Sequence, residues 1–220
     1  MKPTPPPDRT PEARPVAAGT VFGDRLPLAD RLVAHLVTSG VERGLVGPRE
    51  VPRMWTRHVL NCAVLGELVP PSTRVLDVGS GAGLPGLAVA IARPDLEVVL
   101  VEPLERRVLW LREVVADLGL DVTVQRARAE GVAGRFTAGV VTARAVAPLP
   151  RLLGWTLPLV APGGQVLAIK GRTAEAELTA SAPVLARWKV TGAEVVACGV
   201  GVLEAATTVV RIPGGRRPGG

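Results

Sequence analysis

Apolar and polar residues recur along the chain with two different periods, and the change falls near residue 73. Before that point, residues 26–40 place Leu28, Leu32 and Leu36 at helical spacing. The pattern predicts a first helix that ends at Gly40, because glycine is the usual residue just beyond a helix end.

A second amphipathic stretch, residues 47–71, predicts a second helix with Pro52 in its first turn. Its polar side carries Arg53, Arg57 and Asn61 at four-residue spacing, which suits a phosphate-binding face and a merely solvated face equally well. The predicted apolar face consists of Val51, Trp55, Val59, Cys62 and Leu65. Together the two helices predict an N-terminal helical extension, assigned to residues 21–70.

Beyond residue 73, short apolar runs alternate with longer amphipathic ones. Such alternation predicts a doubly wound α/β domain at residues 71–212: a mostly parallel, twisted sheet with helices on both faces. The last two strands, joined by a short turn, predict an antiparallel hairpin at one edge. The predicted strands are residues 74–79, 97–102, 121–126, 138–144, 163–171, 188–200 and 204–212, and the predicted helices between them are 84–94, 104–119 and 149–163.

The two ends of the chain have a different composition from the rest. Residues 1–20 are rich in proline and lack an apolar signal core, which predicts a disordered leader and no secretion. Residues 213–220 predict a disordered basic tail that contains Arg216 and Arg217. No apolar run reaches the ~20 residues of a membrane span, so no membrane partner is expected.

Charge and cysteine usage narrow the class of partner. The formal net charge is +6 and the pI about 10.5, which favours a polyanionic partner such as nucleic acid. Cys62 and Cys198 form no C-x-x-C pair and no cluster with His35 or His58, so no metal site is predicted and both thiols are expected in the core. A reduced cytoplasmic protein fits best, and nothing in the sequence requires an oligomer.

A glycine-rich segment, "VLDVGSGAGLPG" at residues 75–86, follows the first predicted strand. Ligands of open parallel sheets bind at the carboxyl ends of the strands, and Gly81, Gly83 and Gly86 match the dinucleotide pattern G-x-G-x-x-G. Asp77 at the strand tip would repel a pyrophosphate. It therefore favours a positively charged ligand, and S-adenosylmethionine carries an ammonium and a sulfonium.

Two later positions also suit an adenosine ligand. Glu102 ends the second strand, where a carboxylate can accept hydrogen bonds from both ribose hydroxyls, although it serves nicotinamide dinucleotides equally well. Ala129 and Glu130 follow the third strand and are expected at the adenine edge. Residues 142–149 lie at and beyond the end of the fourth strand, where methyltransferases of this fold present the substrate.

The residues near the fourth strand limit the atom that could be methylated. They contain no Asn/Asp-Pro-Pro-aromatic motif for exocyclic amines, and neither cysteine is predicted on a strand-tip loop. The chain has only Lys2, Lys170 and Lys189, too few for a lysine-based set that activates a ribose hydroxyl. A nucleophile that needs no deprotonation is favoured, and guanine N7 is one.

The motifs "DVGSGAGLPGL", "RVLWLREV", "RAVAPL" and "GGQVLAIKG", behind a helix with "WTRHVLN", resemble the RsmG (GidB) family over roughly Leu26 to Ile212. The resemblance implies a Rossmann-like class I methyltransferase that uses S-adenosylmethionine. It also implies methylation of guanine N7 in the 530 loop of 16S ribosomal RNA, within the 30S subunit. Many members have Asp-Ser where this chain has Asn61-Cys62. The implied cofactor contacts are Gly79, Leu84, Ala129, Glu130 and Arg144, to which the motif reasoning adds Asp77, Gly81 and Glu102.

Arg144 is the predicted catalytic residue, because its planar fork can orient the base or close the pocket; a structural ion pair is the alternative. The candidate RNA-binding residues are Arg53, Arg57, His58, Lys170 and Arg172. Three other functions stay open at this point: a nicotinamide-dependent oxidoreductase, a non-catalytic RNA assembly factor that binds the cofactor, and methyl transfer to a small molecule.

Overall fold

A computed structural model describes residues 10–215, and one seven-stranded sheet organises them. Its strands are β1 (Arg74–Val78), β2 (Glu97–Glu102), β3 (Val122–Arg126), β4 (Ala138–Arg144), β5 (Val160–Ile169), β6 (Glu194–Cys198) and β7 (Thr207–Pro213). In the order β3-β2-β1-β4-β5-β7-β6, the first five pair in parallel, and β7 is antiparallel to both neighbours. The predicted fold class is confirmed. The order reverses between β1 and β4, which makes the loop after β1 the expected ligand site.

Helices cover both faces of the sheet and bury two hydrophobic cores. Alternate residues of β2 show the division: Val98 and Leu100 point into one core, Val99 and Val101 into the other. The first core contains the N-terminal helices and the second contains the C-terminal ones. The α-helices are α1 (Ala17–Phe22), α2 (Leu26–Val37), α3 (Ser39–Glu42), α4 (Asn61–Ala63), α5 (Gly86–Ala92), α6 (Glu105–Leu118), α7 (Ala129–Val132), α8 (Leu149–Thr156), α9 (Ala174–Ala180) and α10 (Ala182–Arg187).

The second predicted helix exists, but its hydrogen bonding is irregular. It consists of 3₁₀ turns at Pro48–Arg53 and Val64–Leu68, with a π-helical stretch at Met54–Leu60 and α4 between them. Pro52 has no N–H, so a regular α-helix cannot run through the start of this segment. The predicted apolar face is nevertheless confirmed, because all five of its residues are buried.

Three boundaries differ from the sequence prediction near the N-terminus and the tail. Helix α2 ends at Val37, and Gly40 lies inside α3 instead of capping the first helix. The leader boundary at residue 20 falls inside α1, which buries Ala18. At the other end, β7 extends to Pro213, and the Gly214 N–H donates to the Gly164 carbonyl over 2.8 Å. Residues 1–9 and 216–220, with Arg216 and Arg217, lie outside the described residues.

The region between β5 and β6 was predicted incorrectly. The sequence predicts a strand at residues 188–200, but β6 covers only Glu194–Cys198. The sequence predicts no helix where α9 and α10 lie. These helices are too short to show a clear helical period. The edge hairpin of β6 and β7 is confirmed, but residues 199–206 connect its strands in place of a short turn.

Candidate active site

The loop between β1 and α5 brings backbone close to a cavity. Gly81 has a φ of 56°, in the left-handed region that glycine adopts without strain. Gly86 is required for a different reason, since a Cβ there would lie 2.3 Å from Leu100 Cδ2 and 2.8 Å from Asp77 Oδ2. Backbone angle matters at one end of the loop, and close packing matters at the other.

Asp77 lies beneath this loop and is completely buried. Its Oδ2 accepts a hydrogen bond from the Gly86 N–H over 3.0 Å, and its backbone carbonyl accepts one from the Ser80 hydroxyl over 2.8 Å. Burial raises the pKa of the Asp77 carboxyl to about 7. Asp77 does not line the adjoining cavity, and its hydrogen bonds hold the loop in shape, so a direct contact with the cofactor stays a prediction.

Glu102 ends β2 and, unlike Asp77, lines the cavity. Its Oε2 accepts the Gly81 N–H and its Oε1 accepts the Leu104 N–H, each over 3.0 Å. Arg107 Nη1 lies 3.7 Å from the same carboxylate. A carboxylate has about four lone-pair sites, so Glu102 keeps capacity for two more donors.

The cavity beside the loop has a volume of 570 Å³ and lies between the sheet and the N-terminal extension. A second cavity of 220 Å³ adjoins it past Val146 and reaches Ala129 and Glu130. The larger cavity is lined by Leu45, Val46, Gly47, Glu50, Met54, His58, Gly79, Ser80, Gly81, Ala82, Leu84, Glu102, Pro103, Leu104, Arg107, Arg144, Ala145 and Val146.

The donor set of these cavities fits S-adenosylmethionine. Glu102 suits a ribose diol, and the smaller cavity offers the apolar surfaces of Pro103 and Val146 to an adenine ring. The larger cavity is lined by charges of both signs, including Glu50 and Arg107, as a zwitterionic amino-acid group requires.

A third cavity of 980 Å³ opens on the other side of Arg144; we call it the basic cleft. Arg57, Lys170 and Arg172 line it, together with Thr207. It shares four residues with the cavity beside the glycine loop: Glu50, His58, Arg144 and Ala145. These four residues form the wall between a cofactor-sized cavity and a basic surface.

Arg144, the last residue of β4, is held by contacts from the N-terminal extension. Its Nη1 donates to Cys62 Sγ over 2.9 Å and to the His58 carbonyl over 3.4 Å. Its Nη2 donates to His58 Nδ1. The predicted alternative of an ion pair at this strand tip does not describe these partners, because all of them are neutral acceptors.

Glu50 completes this arrangement from the far side of the imidazole ring. Its Oε2 lies 2.7 Å from His58 Nε2 and 3.1 Å from Arg53 Nε, and its Oε1 lies 2.5 Å from Arg53 Nη2. Burial lowers the pKa of His58, and the nearby Arg144 charge lowers it further. Neutral His58 thus bridges Glu50 and Arg144.

Comparison with known proteins agrees with this geometry. A family model described as GidB, rRNA small subunit methyltransferase G, matches residues 25–203, which include the glycine loop, Glu102 and Arg144. The chain belongs to this family.

Two relatives illustrate the match. The ribosomal RNA small subunit methyltransferase G of Renibacterium salmoninarum is 59% identical over 203 residues, 91% of this chain and 94% of the relative. The protein of the same name from Pseudarthrobacter chlorophenolicus is 59% identical over 197 residues, 89% of this chain and 91% of the relative. A solved methyltransferase from Pyrococcus furiosus has a TM-score of 0.60 at 15% identity, covering 88% of this chain and all of that one, and shows the fold.

In this GidB family member, Cys62 lies in the core, as the sequence predicted, and on a helix instead of a strand-tip loop. The sequence did not predict that its thiol also accepts a hydrogen bond from Arg144, whose backbone ends β4. The side chain is fully buried, and burial raises the pKa of the Cys62 thiol, so a thiolate nucleophile is disfavoured. Asn61 faces the basic cleft, where its Oδ1 accepts a hydrogen bond from the Thr207 hydroxyl.

Lys170 and Arg172, predicted together as phosphate ligands, have different environments. The Lys170 ammonium donates to Glu177 Oε2 over 2.7 Å and to the Ala147 carbonyl over 2.9 Å, and only 10% of the side chain is exposed. These contacts argue against Lys170 as a phosphate ligand. Arg172 is exposed at the edge of the basic cleft, and within residues 10–215 no ion pair involves it.

Membrane-spanning helices and metal-ligating clusters were also sought in the described residues of this family member. Within residues 10–215, no helix has the length and apolar character needed to cross a bilayer. In the same part of the chain, no three His, Cys, Asp or Glu side chains are arranged around a potential metal position.

Sequence reasoning missed two charged residues that line the cavity beside the loop, Glu50 and Arg107. Glu50 precedes His58 by eight residues, more than two turns of a regular α-helix, and the two side chains meet in a segment whose turns are 3₁₀ and π-helical. Arg107 could have been suspected from its position five residues after Glu102, in the first turn of α6.

Proposed function

We propose that this protein transfers a methyl group from S-adenosylmethionine to N7 of a guanine in the 530 loop of 16S ribosomal RNA. The observation that carries the proposal is the position of Arg144, whose side chain lines both the cavity beside the glycine loop and the basic cleft. Cofactor and nucleophile approach each other at this wall. The relatives named ribosomal RNA small subunit methyltransferase G support the same reading.

When bound, S-adenosylmethionine supplies an electrophilic methyl group. We assign Glu102 to the ribose hydroxyls, and Ala129 and Glu130 to the adenine side. Guanine N7 has a free lone pair at neutral pH, so no side chain has to act as a base. The chain contributes binding and orientation, which are worth about 7–11 kcal/mol in well-oriented reactions. The glycine-loop residues assigned to the cofactor are Gly79, Gly81 and Leu84.

On the substrate side, we assign Arg144 the catalytic role of orienting the guanine, because its guanidinium offers several donors in one plane. Arg57 and Arg172 bind phosphates in this proposal, and 62% of the Arg57 side chain is exposed. Arg53 contributes less, because two hydrogen bonds tie it to Glu50, whereas Arg57 Nε only lies 3.8 Å from Glu50 Oε2. The target guanine leaves its base stack to reach the cavity.

We further propose that the protein acts as a monomer on the 30S subunit in the cytoplasm. The net charge of +6 supports a ribonucleoprotein substrate, because counterion release from phosphates favours binding by a basic protein.

The test combines tritiated S-adenosylmethionine with 30S subunits that lack the modification, followed by strand scission specific for N7-methylguanine. A single cut in the 530 loop is expected. Cofactor binding without RNA labelling would instead favour a non-catalytic assembly factor or a small-molecule methyltransferase. A rise in melting temperature with NAD(H) but not with S-adenosylmethionine would favour the oxidoreductase.

A further inference from the structure

Glu50 and His58 occupy the wall between the two cavities, but neither needs to touch the reacting atoms. We propose that both are positioning residues, which hold the Arg144 guanidinium at this wall. The reason for holding Arg144 there rests on the function proposed above. His58, which the sequence suggested as an RNA ligand, acts through Arg144 in this proposal.

Hydrogen-bond chemistry permits one arrangement of protons. A guanidinium can only donate, so His58 Nδ1, which receives Arg144 Nη2, must be unprotonated. The ring proton then lies on Nε2 and is donated to Glu50 Oε2 over 2.7 Å. Glu50 therefore selects the tautomer that can accept a hydrogen bond from Arg144.

The charges around the ring agree with this role. Burial lowers the pKa of His58, Arg144 and Arg57 lower it as well, and Glu50 raises it. Burial raises the pKa of Glu50, but its hydrogen bonds from Arg53 and His58 lower that pKa overall. His58 is accordingly neutral and Glu50 ionised at pH 7. Once His58 is protonated at lower pH, it cannot accept a hydrogen bond from Arg144, and the two positive charges repel each other.

The protein contains a matched control. It has only two histidines, and His35 Nε2 also lies 2.8 Å from a carboxylate, Asp117 Oδ2. This second pair lies on α2 and α6, with His35 half-buried and Asp117 exposed, and lines none of the three cavities described above. A histidine–carboxylate pair without Arg144 can therefore be measured in the same molecule.

The first experiment is an NMR titration of the protein labelled with ¹⁵N-histidine, without cofactor or RNA. We expect His58 as the Nε2–H tautomer with a midpoint below 6.5. Glu50→Gln keeps an acceptor but removes a charge, so the His58 midpoint should fall further. Arg144→Met should raise it. The His35 signals, from a residue that contacts neither Glu50 nor Arg144, serve as the internal reference. An Nδ1–H tautomer, or a His58 midpoint that ignores Arg144→Met, would overturn the proposal.

The second experiment measures methyl transfer to 30S subunits. His58→Leu should lower kcat about 10- to 100-fold, since small displacements of a catalytic group have effects of this size, with a much smaller change in KM. His58→Asn should recover much of the loss, because its side-chain oxygen can occupy the place of Nδ1. Full activity of His58→Leu would contradict the positioning role, and His35→Leu should retain wild-type activity.

The pH profile gives a signature that a purely structural role does not predict. The wild-type rate should fall on the acid side as His58 gains a proton, and Glu50→Gln should move this limb to lower pH. His58→Asn should lack the limb. If the wild-type protein labels no RNA, the proposed function fails, whereas the NMR titration still decides whether Glu50 and His58 position Arg144.

Discussion

The cavity beside the glycine loop and the basic cleft, proposed above as the cofactor side and the substrate side of the active site, are built by different kinds of contact. On the cofactor side, backbone groups within one βα unit and its neighbour hold the key carboxylate, as the N–H groups of Gly81 and Leu104 do for Glu102. On the substrate side, side chains hold each other across 86 positions of sequence, as in the pair of His58 and Arg144. A backbone motif can be recognised locally, but a side-chain pair over such a distance depends on the complete fold.

The largest expected effect concerns the substrate side. Arg144→Met should lower methyl transfer about 100-fold, because the guanine loses the group that orients it. The affinity for S-adenosylmethionine should change much less, because Glu102 still binds the ribose. Single-turnover labelling of 30S subunits and calorimetric titration of the cofactor measure the two quantities. If methyl transfer and cofactor affinity fell by the same factor, Arg144 would bind the cofactor and would not orient the guanine.

The next-largest effect concerns the close packing of backbone in the loop between β1 and α5. Gly86→Ala should lower the free energy of unfolding by about 1–3 kcal/mol and weaken cofactor binding, because the new methyl group would overlap Leu100 and Asp77. Gly154→Ala in α8 is the control, since a Cβ there meets nothing within 4 Å and should stabilise the helix. Urea denaturation of both variants makes the measurement, and equal stability would contradict the close-packing argument.

A smaller effect distinguishes the roles of Lys170 and Arg172, the two cationic residues that follow β5. Lys170→Met should lower the free energy of unfolding by about 1–2 kcal/mol, because Glu177 loses its charged donor and keeps only the Leu149 N–H and the Thr173 hydroxyl. The salt dependence of 30S binding should not change. A reduced salt slope in Lys170→Met would restore Lys170 as a phosphate ligand.

Arg172→Ala is the matched change and should have the opposite outcome. Its stability should stay within about 0.5 kcal/mol of wild type, as for an exposed side chain. Its slope of log affinity against log salt should fall by about one, the value for one lost phosphate contact. An unchanged slope would remove Arg172 from the RNA-binding surface.

Local sequence determined the parallel sheet, the glycine loop and the carboxylate at the tip of β2. Hydrophobic period, turn residues and short-range hydrogen bonding act within a few residues, so they are visible without the fold. The helices α9 and α10 escaped detection because each is shorter than the window in which a helical period is visible.

The roles of individual charged side chains were decided by tertiary structure. Asp77 and Glu102 are both buried carboxylates near the ends of neighbouring strands, but only Glu102 lines the cavity. Lys170 and Arg172 are two positions apart, and only Lys170 has Glu177 beside it. The free energy of a charge depends on burial and on partners that distant segments supply. The sequence by itself therefore determined where chemistry can take place, and packing decided which residue lines the cavity beside the glycine loop, which lines the basic cleft and which only supports its neighbour.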